Sequence, residues 1–192
     1  MSDRRSWFLV ALSLVAAASR IVPHPMNFAP MAALALFGAA TFASRRAAIV
    51  MPLLALLLGD CLLQATHQAG WQPSRGFYSG QWVIYACMLF TVGIGFLLRG
   101  RTNVPTVAAA TLAGSLVFFL VTNFPWPLGP VRFYPTTLEG ITASYTAGLP
   151  FFRNTLAGDA VYSTLLFGSL AFAEARFPSL RRPKPLPVGA AA

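Results

Sequence analysis

The chain has 192 residues, of which 56% are hydrophobic and only 10% are charged. A soluble domain carries about 25% charged residues, so these charges are too few to cover a water-facing surface of this size. The formal net charge of +9 would suggest nucleic-acid binding in a soluble protein. Here the basic residues stand in short segments between hydrophobic runs, and this distribution indicates membrane topology instead. We therefore expect an integral membrane protein without a nucleic-acid partner.

Six hydrophobic stretches predict transmembrane helices. Several stretches of about 17–20 residues lack Lys, Arg and Glu, and a helix needs about 20 apolar residues to cross the hydrocarbon core. Lipid cannot satisfy backbone polar groups, and the alternating segments of a membrane β-barrel are missing, so we expect helices. The predicted spans are Trp7–Ser19, Phe28–Phe42, Ala47–Leu63, Gln81–Leu98, Val104–Thr122 and Asn154–Ala173. The sequence thus predicts an all-α membrane protein with one six-helix transmembrane domain over residues 1–175.

The segment Arg20–Pro30, between the first two spans, contains three prolines and is predicted to be irregular. Irregular backbone at membrane depth is tolerated only where it is buried in protein or lines a cavity. The first span also has features of a secretory signal, with Arg4 and Arg5 before an apolar run and Ala16–Ala18 at its end. Cleavage of this span is therefore an alternative.

Basic residues divide unequally between the two sides that six spans would define. Ten of the 14 basic residues fall on one side, which should be cytoplasmic because loops rich in Lys and Arg stay inside. These ten are Arg4, Arg5, Arg45, Arg46, Arg99, Arg101, Arg176, Arg181, Arg182 and Lys184. The other four are Arg20, Arg75, Arg132 and Arg153. The sequence predicts a multi-pass protein of a bacterial inner membrane, with both termini in the cytoplasm and a disordered, basic and proline-rich tail over residues 176–192.

The three connections on the predicted extracytoplasmic side carry the polar residues that suggest a site. Aromatic residues at this level, such as Tyr78 and Trp82, are typical of an interfacial belt. A belt does not require charges, imidazoles or amides, whereas a polar ligand site does. The candidate substrate-binding residues are His24, Asn27, Asp60, His67, Asn123, Tyr145, Arg153, Asn154 and Asp159. They predict a polar pocket at the extracytoplasmic end.

Asp60 and Asp159 are the carboxylates that fall within predicted spans. Ionisable residues in spans usually face the protein interior and mark a pathway, a relay or a partner. On the last span, Asn154, Gly158, Asp159 and Tyr162 fall on one helical stripe. This stripe predicts one wall of the pocket.

A purely structural role is open for the same carboxylates. Arg20 and Arg153 would then neutralise them and hold the helices in register. The segment Thr136–Leu149 is predicted to be a separate amphipathic helix, with Thr136 or Thr137 as its N-cap. It would be either a lid over the pocket or a surface helix without ligand contact.

Small residues recur at four-residue spacing in two spans, and such spacing lets helices approach closely. They are Ala35, Ala39 and Ala43, and then Ala109 with Ala113 and Ala110 with Gly114. Packing within the chain and docking of another membrane subunit both remain open. Cys61 and Cys87 lie in hydrophobic runs, so we expect small buried residues rather than a disulfide or metal ligands. No nucleotide loop, zinc signature or nucleophile–base set is present, so we expect no enzyme, metal or cofactor, and ATP use would need a partner.

The stretch Arg20–Gly38, RIVPHPMNFAPMAALALFG, resembles the signature of a family of bacterial membrane proteins of unknown function whose members are labelled as transport proteins. Leu116–Phe124 and Tyr145–Asp159 resemble two further blocks of that family. More distantly, the layout is similar to the substrate-binding S components of energy-coupling-factor vitamin transporters, which have six helices and both termini inside. That resemblance implies a ligand site under the first, third and fifth connections. It also implies an energising membrane subunit with ATPases as a partner.

These observations lead to one main hypothesis and to alternatives from other classes. The chain is expected to be a membrane transport protein or a substrate-binding component that captures a small vitamin-like or polar solute from the extracytoplasmic side. One alternative is a solitary S component for cobalamin, in which His24 or His67 would contact cobalt. Another is a non-transport scaffold, or a small intramembrane enzyme that uses Asp60 and Asp159. A polar cavity at the extracytoplasmic end would favour transport over a scaffold.

Overall fold

The computed structural model describes residues 3–126 and 133–181, and these residues contain helices and no strand. The α-helices are α1 (Asp3–Ala18), α2 (Met31–Thr41), α3 (Arg45–Gln68), α4 (Gln81–Phe96), α5 (Val104–Asn123) and α6 (Leu138–Arg176). Short 3-10 turns, Ser19–Ile21 and Pro178–Leu180, follow α1 and α6. The predicted all-α fold class is confirmed.

In the described part of the chain, three helices are long and apolar enough to cross a membrane, namely α3, α5 and α6, with 24, 20 and 39 residues. About 20 residues suffice to cross the hydrocarbon core. α2 and α4 are also apolar, but they have only 11 and 16 residues. By length and composition the chain is a membrane protein, and the count of six spans stays a prediction.

α2 occupies the middle of the bundle. Ten of its 11 residues are buried, and it contacts each of the other five helices. Its sequence is apolar on every side, as expected of a helix without a solvent or lipid face. Ala35 and Ala39 are fully buried, so the small-residue spacing of α2 serves packing within the chain. It leaves no surface of this helix for another subunit.

Two glycines allow α2 to approach its neighbours closely. A Cβ atom on Gly38 of α2 would lie 2.3 Å from Cγ of Pro52 in α3. A Cβ atom on Gly95 of α4 would lie 2.6 Å from Cβ of Ala39 in α2. Both distances are too short for real atoms, so a side chain at either glycine would force the helices apart.

Ionisable side chains from α6 and from the turn after α4 meet the two ends of α2. At the N-terminal end, Oδ1 of Asp159 accepts hydrogen bonds from the backbone N–H groups of Ala32 (2.9 Å) and Ala33 (3.2 Å). At the C-terminal end, Arg99 donates to the carbonyl oxygen of Phe42 at 3.0 Å. The carboxyl group lies at the positive end of the helix dipole and the guanidinium at the negative end, so both satisfy backbone groups that the helix leaves unpaired.

α6 corrects the prediction for the last span. The predicted surface helix Thr136–Leu149 and the predicted span from Asn154 belong to one continuous helix of 39 residues, Leu138–Arg176. The prediction of Thr137 as an N-cap is confirmed, because its side chain accepts from Gly140 N–H at 3.2 Å. The predicted break contains Pro150, which lies inside the helix. A proline removes one hydrogen bond and bends a helix, but neighbouring helices can hold the helix together around it.

The predicted disordered tail begins too early. Arg176 is the last residue of α6, and Leu180 of the following 3-10 turn is buried. Arg5 of α1, only 4% exposed, pairs with Glu174 and donates to the carbonyl oxygen of Leu180. A buried guanidinium needs such partners, so this segment is packed against α1. Residues 182–192 of the predicted tail lie outside the described residues.

The two cysteines differ in their surroundings. Cys87 is buried, as predicted, whereas Cys61 is exposed. Both are free. Cys61 lies on the outer face of α3. A hydrophobic run in a membrane helix does not show which of its residues face outward and which are buried.

Candidate functional site

A cavity of about 230 Å³ lies between the segment Arg20–Pro30, α3 and the connection of residues 69–80. We call it the Asp60 cavity. Its lining includes the predicted site residues His24, Asn27 and Asp60. α5 and α6 contribute Phe118 and Thr155 to its wall. The structure thus brings together residues of the first and third connections that the sequence predicted to converge.

Asp60 is the buried centre of a polar cluster at this cavity. It is 2% exposed. Its Oδ1 accepts from NH1 of Arg20 at 2.7 Å, and its Oδ2 accepts from Nε2 of Gln81 at 2.5 Å and from the hydroxyl of Tyr85 at 2.8 Å. Gly59 makes room for the arginine, because a Cβ atom there would lie 2.9 Å from NH1 of Arg20. The charge is therefore compensated by one cation and two neutral donors.

The connection of residues 69–80 is held against the end of α3. Oε1 of Gln64 accepts from the N–H groups of Gly76 (3.2 Å) and Phe77 (3.3 Å), and Nε2 of Gln81 donates to the carbonyl oxygen of Gly76 at 3.1 Å. A Cβ atom on Gly76 would lie 1.8 Å from the carbonyl oxygen of Asp60, so only glycine fits. This contact brings to the cavity Ser74, Arg75 and Tyr78.

The irregular segment Arg20–Pro30 forms the opposite wall. One ring nitrogen of His24 lies 2.9 Å from the carbonyl oxygen of Pro25, and the other lies 3.3 Å from that of Arg20. Asn27 has a positive φ of 63°, which asparagine adopts more readily than most residues. The irregular backbone between the first two helices thus lines a cavity, one of the two arrangements expected of such backbone at membrane depth.

Asp159 does not line the Asp60 cavity. It is fully buried, and in addition to its two bonds to α2 it accepts from the hydroxyl of Ser115 at 2.8 Å through Oδ2. The predicted neutralisation by Arg153 is wrong, because Arg153 is exposed and has no hydrogen-bond or ion-pair partner among the described residues. The backbone N–H groups at the start of α2 bind Asp159 in place of the arginine that the structural interpretation required.

The rest of the predicted stripe on α6 holds the segment Arg20–Pro30 instead of lining the cavity. Nδ2 of Asn154 donates to the carbonyl oxygen of Met26 at 3.0 Å. The hydroxyl of Tyr162 lies 2.7 Å from Oγ of Ser19, just before this segment. Gly158 permits the close approach, because a Cβ atom there would lie 2.9 Å from the backbone nitrogen of Ala29. The stripe faces the interior as predicted, but it contacts the segment Arg20–Pro30 on the side away from the cavity.

The remaining predicted residues lie away from the cavity. Nδ1 of His67 lies 3.1 Å from the carbonyl oxygen of Gln72. Nδ2 of Asn123 donates to the carbonyl oxygen of Phe119 at 2.9 Å, and Tyr145 donates to that of Leu120 at 2.9 Å. His67 and Asn123 contact carbonyl groups close to them in the chain, whereas Tyr145 of α6 donates to a carbonyl group of α5.

Sequence reasoning missed several residues of the site. Gln81 and Tyr85 bind Asp60 directly, and their spacing of four residues at the start of α4 places them on one helix face. Tyr78, predicted as part of an interfacial belt, lines the cavity. Partial burial raises the pKa of Tyr78 above its ordinary value of 10.0, and the charge of Asp60 adds to this rise while Arg20 opposes it. Its phenol is therefore neutral near pH 7. Arg75, which also lines the cavity, entered the sequence prediction only as a basic residue on the extracytoplasmic side.

Among the described residues, no three His, Cys, Asp or Glu side chains converge as metal ligands. His24 and His67 are separate, since His24 lines the Asp60 cavity and His67 does not. The site therefore consists of hydrogen-bonding and charged groups around a small cavity. Groups of this kind suit a polar ligand.

Apolar helices beside a polar cavity, with Asp60 buried in its wall, define a helical membrane protein with a small polar site. A family profile described as "Family of unknown function (DUF6580)" matches residues 1–180, and the chain belongs to this family. The predicted membership in an uncharacterised family is confirmed. The description assigns no activity, so the transport label stays a prediction. No curated protein and no solved structure matched the chain, and the likeness to S components gains no support from them.

Proposed function

We propose that the protein binds a small polar solute in the Asp60 cavity and takes part in its passage across the membrane. The observation that carries the proposal is a buried charged cluster, Arg20 with Asp60, at a cavity of about 230 Å³ within an apolar helical bundle. Ionisable groups are costly in such surroundings, and they usually mark a ligand or ion pathway. A scaffold does not need a polar cavity.

The proposal includes the six-span topology in a bacterial inner membrane. In this topology α1, α2 and α4 cross the membrane together with the three helices that are long enough to span it. The segment Arg20–Pro30 then enters the bundle from the extracytoplasmic side. Among the described residues, Arg5, Arg45, Arg99 and Arg176 stand at or next to the helix ends away from the cavity, which supports a cytoplasmic assignment for that end. The Asp60 cavity would then face the extracytoplasmic side.

The size of the cavity limits the solute. Pockets for drug-sized ligands enclose about 300–1,000 Å³, whereas the Asp60 cavity has about 230 Å³. A corrinoid is larger than a drug-sized ligand, so we do not extend the proposal to cobalamin, although His24 lies at the cavity. A solute with one small ring or a short chain fits this space.

The arrangement of the two buried carboxylates favours binding over catalysis. Asp60 and Asp159 share no hydrogen-bond partner. Asp159 is also fully buried, so a substrate in the cavity does not reach it. General acid–base chemistry with two carboxylates requires both within reach of one substrate. The proposal therefore assigns no enzymatic activity, and it does not depend on an energising partner.

Native mass spectrometry of the purified full-length protein tests the proposal. We expect the wild-type protein to retain a small co-purified molecule, and the Asp60→Asn variant to lose it, because the charge that orients Arg20 is gone. Glu139→Gln is the matched control, since Glu139 is exposed in the first turn of α6. It should retain the molecule.

Two outcomes would contradict the proposal. One is a wild-type protein that carries no small molecule after gentle extraction. The other is an Asp60→Asn protein that carries as much as wild type. Circular dichroism of each variant must show wild-type helix content, and Tyr85→Phe, which removes one neutral donor from Asp60, serves as a milder second variant.

A further inference from the structure

The charges around the Asp60 cavity do not balance. Arg20 and Asp60 form an ion pair at 2.7 Å and compensate each other. Arg75 also lines the cavity, and it has no ion-pair or hydrogen-bond partner among the described residues. With histidine counted as neutral, the charged side chains that line the cavity leave one positive charge over. Arg75 is exposed, so water screens part of its charge, and the unpaired guanidinium still attracts an anion that enters the cavity.

Among the hydrogen-bonding groups at the cavity, free donors also outnumber free acceptors. Both oxygens of Asp60 already accept hydrogen bonds, from Arg20, Gln81 and Tyr85. Arg75 offers five N–H donors and no acceptor. The side chains of Asn27 and Ser74 line the cavity without a hydrogen-bond partner among the described residues. The free groups are thus mainly donors, whereas the strongest acceptor is already occupied.

We infer that the solute of the Asp60 cavity is a small organic anion whose carboxylate or phosphate oxygens bind Arg75. This inference rests on the proposed function and names its class of solute. An arginine binds a planar carboxylate through two parallel hydrogen bonds, which provide both energy and orientation. A neutral or cationic solute of equal size would leave the guanidinium uncompensated. The Arg20–Asp60 pair keeps the cavity open and oriented, and Arg75 supplies the charge that selects the anion.

The experiment uses four probes at constant ionic strength: nicotinate, nicotinamide, 3-(aminomethyl)pyridine and inorganic phosphate. The first three share one ring and differ in charge. Thermal unfolding of the full-length protein in detergent is measured over a concentration series of each probe. We expect nicotinate or phosphate to stabilise the wild-type protein at concentrations about tenfold lower than the neutral and cationic probes, a factor that corresponds to 1.4 kcal/mol.

Two arginine variants locate the effect. Arg75→Gln should weaken the stabilisation by the anion about tenfold or more. Arg153→Gln is the matched control, because Arg153 is exposed and does not line the cavity; it should respond like the wild type. Equal responses of the two variants would overturn the assignment to Arg75.

The remaining outcomes separate the inference from the proposed function. If nicotinamide or the amine stabilises as strongly as nicotinate, the anion inference is wrong while solute binding stands. If no probe stabilises the wild type, the cavity takes no small solute of this size, and the proposed function fails as well. Nanodiscs of phosphatidylglycerol and phosphatidylcholine provide the last arm. Loss of the anion effect only in phosphatidylglycerol would assign Arg75 to a lipid headgroup and overturn the inference of a free solute.

Discussion

Asp60 and Asp159 are two buried carboxylates that each follow a glycine, yet their surroundings differ. Asp60 is bound by three side chains, one of them a guanidinium, at the wall of a cavity. Asp159 is bound by two backbone N–H groups and one hydroxyl inside the bundle, away from that cavity. Both glycines make room for another segment of the chain, Gly59 for Arg20 and Gly158 for Ala29.

The difference shows how the partners of a buried charge indicate its role. Side-chain partners can rotate when a ligand enters, so a cluster such as that of Asp60 can exchange contacts at little cost. Backbone N–H groups at a helix start are fixed in position, and a carboxylate that caps them maintains the fold. Whether an ionisable residue in a membrane helix is a candidate for function therefore depends on its hydrogen-bond partners.

The largest effect should follow from Asp159→Ala. This change leaves the N–H groups of Ala32 and Ala33 buried without a partner, and each such group costs about 1–3 kcal/mol. We expect the free energy of unfolding to fall by about 2–6 kcal/mol, measured by denaturant titration in detergent. Asp159→Asn keeps one carbonyl oxygen as an acceptor and should lose less. A stable Asp159→Ala protein that fails only in solute binding would reverse the comparison with Asp60.

A smaller loss of stability and a larger loss of binding are expected for Gly76→Ala. The new Cβ atom would lie 1.8 Å from the carbonyl oxygen of Asp60 and 2.7 Å from the backbone nitrogen of Gln64. Backbone atoms cannot rotate away, so the connection must lift from α3 and carry Arg75 with it. We expect a cost of about 1–3 kcal/mol in stability and loss of the co-purified molecule.

Gly93→Ala is the control for this change, because no atom lies within 4 Å of a Cβ atom placed there. It should leave solute binding at the wild-type level and should not lower stability, because alanine favours a helix more than glycine does. Solute binding by Gly76→Ala at wild-type strength would show that the connection of residues 69–80 is not part of the site.

The smallest effect is expected for His24→Ala. The ring of His24 is exposed and its nitrogens lie near backbone carbonyls of its own segment. We expect a stability change of about 0.5 kcal/mol or less and solute binding close to wild type. Isothermal titration and thermal unfolding on the same preparation test both. A loss of affinity by about tenfold or more, without a change in stability, would place the imidazole among the ligand contacts.

The sequence predicted well what depends on short-range patterns. The fifth span was predicted as Val104–Thr122 and the helix runs Val104–Asn123, since Asn103 caps its start and Pro105 follows at the first turn. The irregular segment after Arg20 could also be predicted, because its prolines prevent a regular helix. Its position at a cavity followed from the cost of irregular backbone in lipid.

The sequence could not predict contacts between distant segments. Asp159 and its partner Ala32 are separated by 127 positions, and no local pattern indicates that the carboxylate caps another helix. The role of Gln81 depends on the position of Arg20 and Asp60 around it, which only the packed helices define. Pro150 lies between the predicted helices Thr136–Leu149 and Asn154–Ala173, and sequence alone does not show that tertiary packing holds α6 together at this residue.

α6 also has a mechanical consequence. Its 39 residues give a length of about 58 Å, and the part after Pro150 contains no further proline. Thr155 at the Asp60 cavity and Glu174 beside Arg5 lie on this same part, about 28 Å apart along the axis. A rod of this kind acts as a lever. A tilt of about 5° around the middle of this part, which is about 39 Å long, would move its two ends by about 1.7 Å in opposite directions. A change of fit in the cavity would then reach the Arg5–Glu174 pair without an intervening hinge.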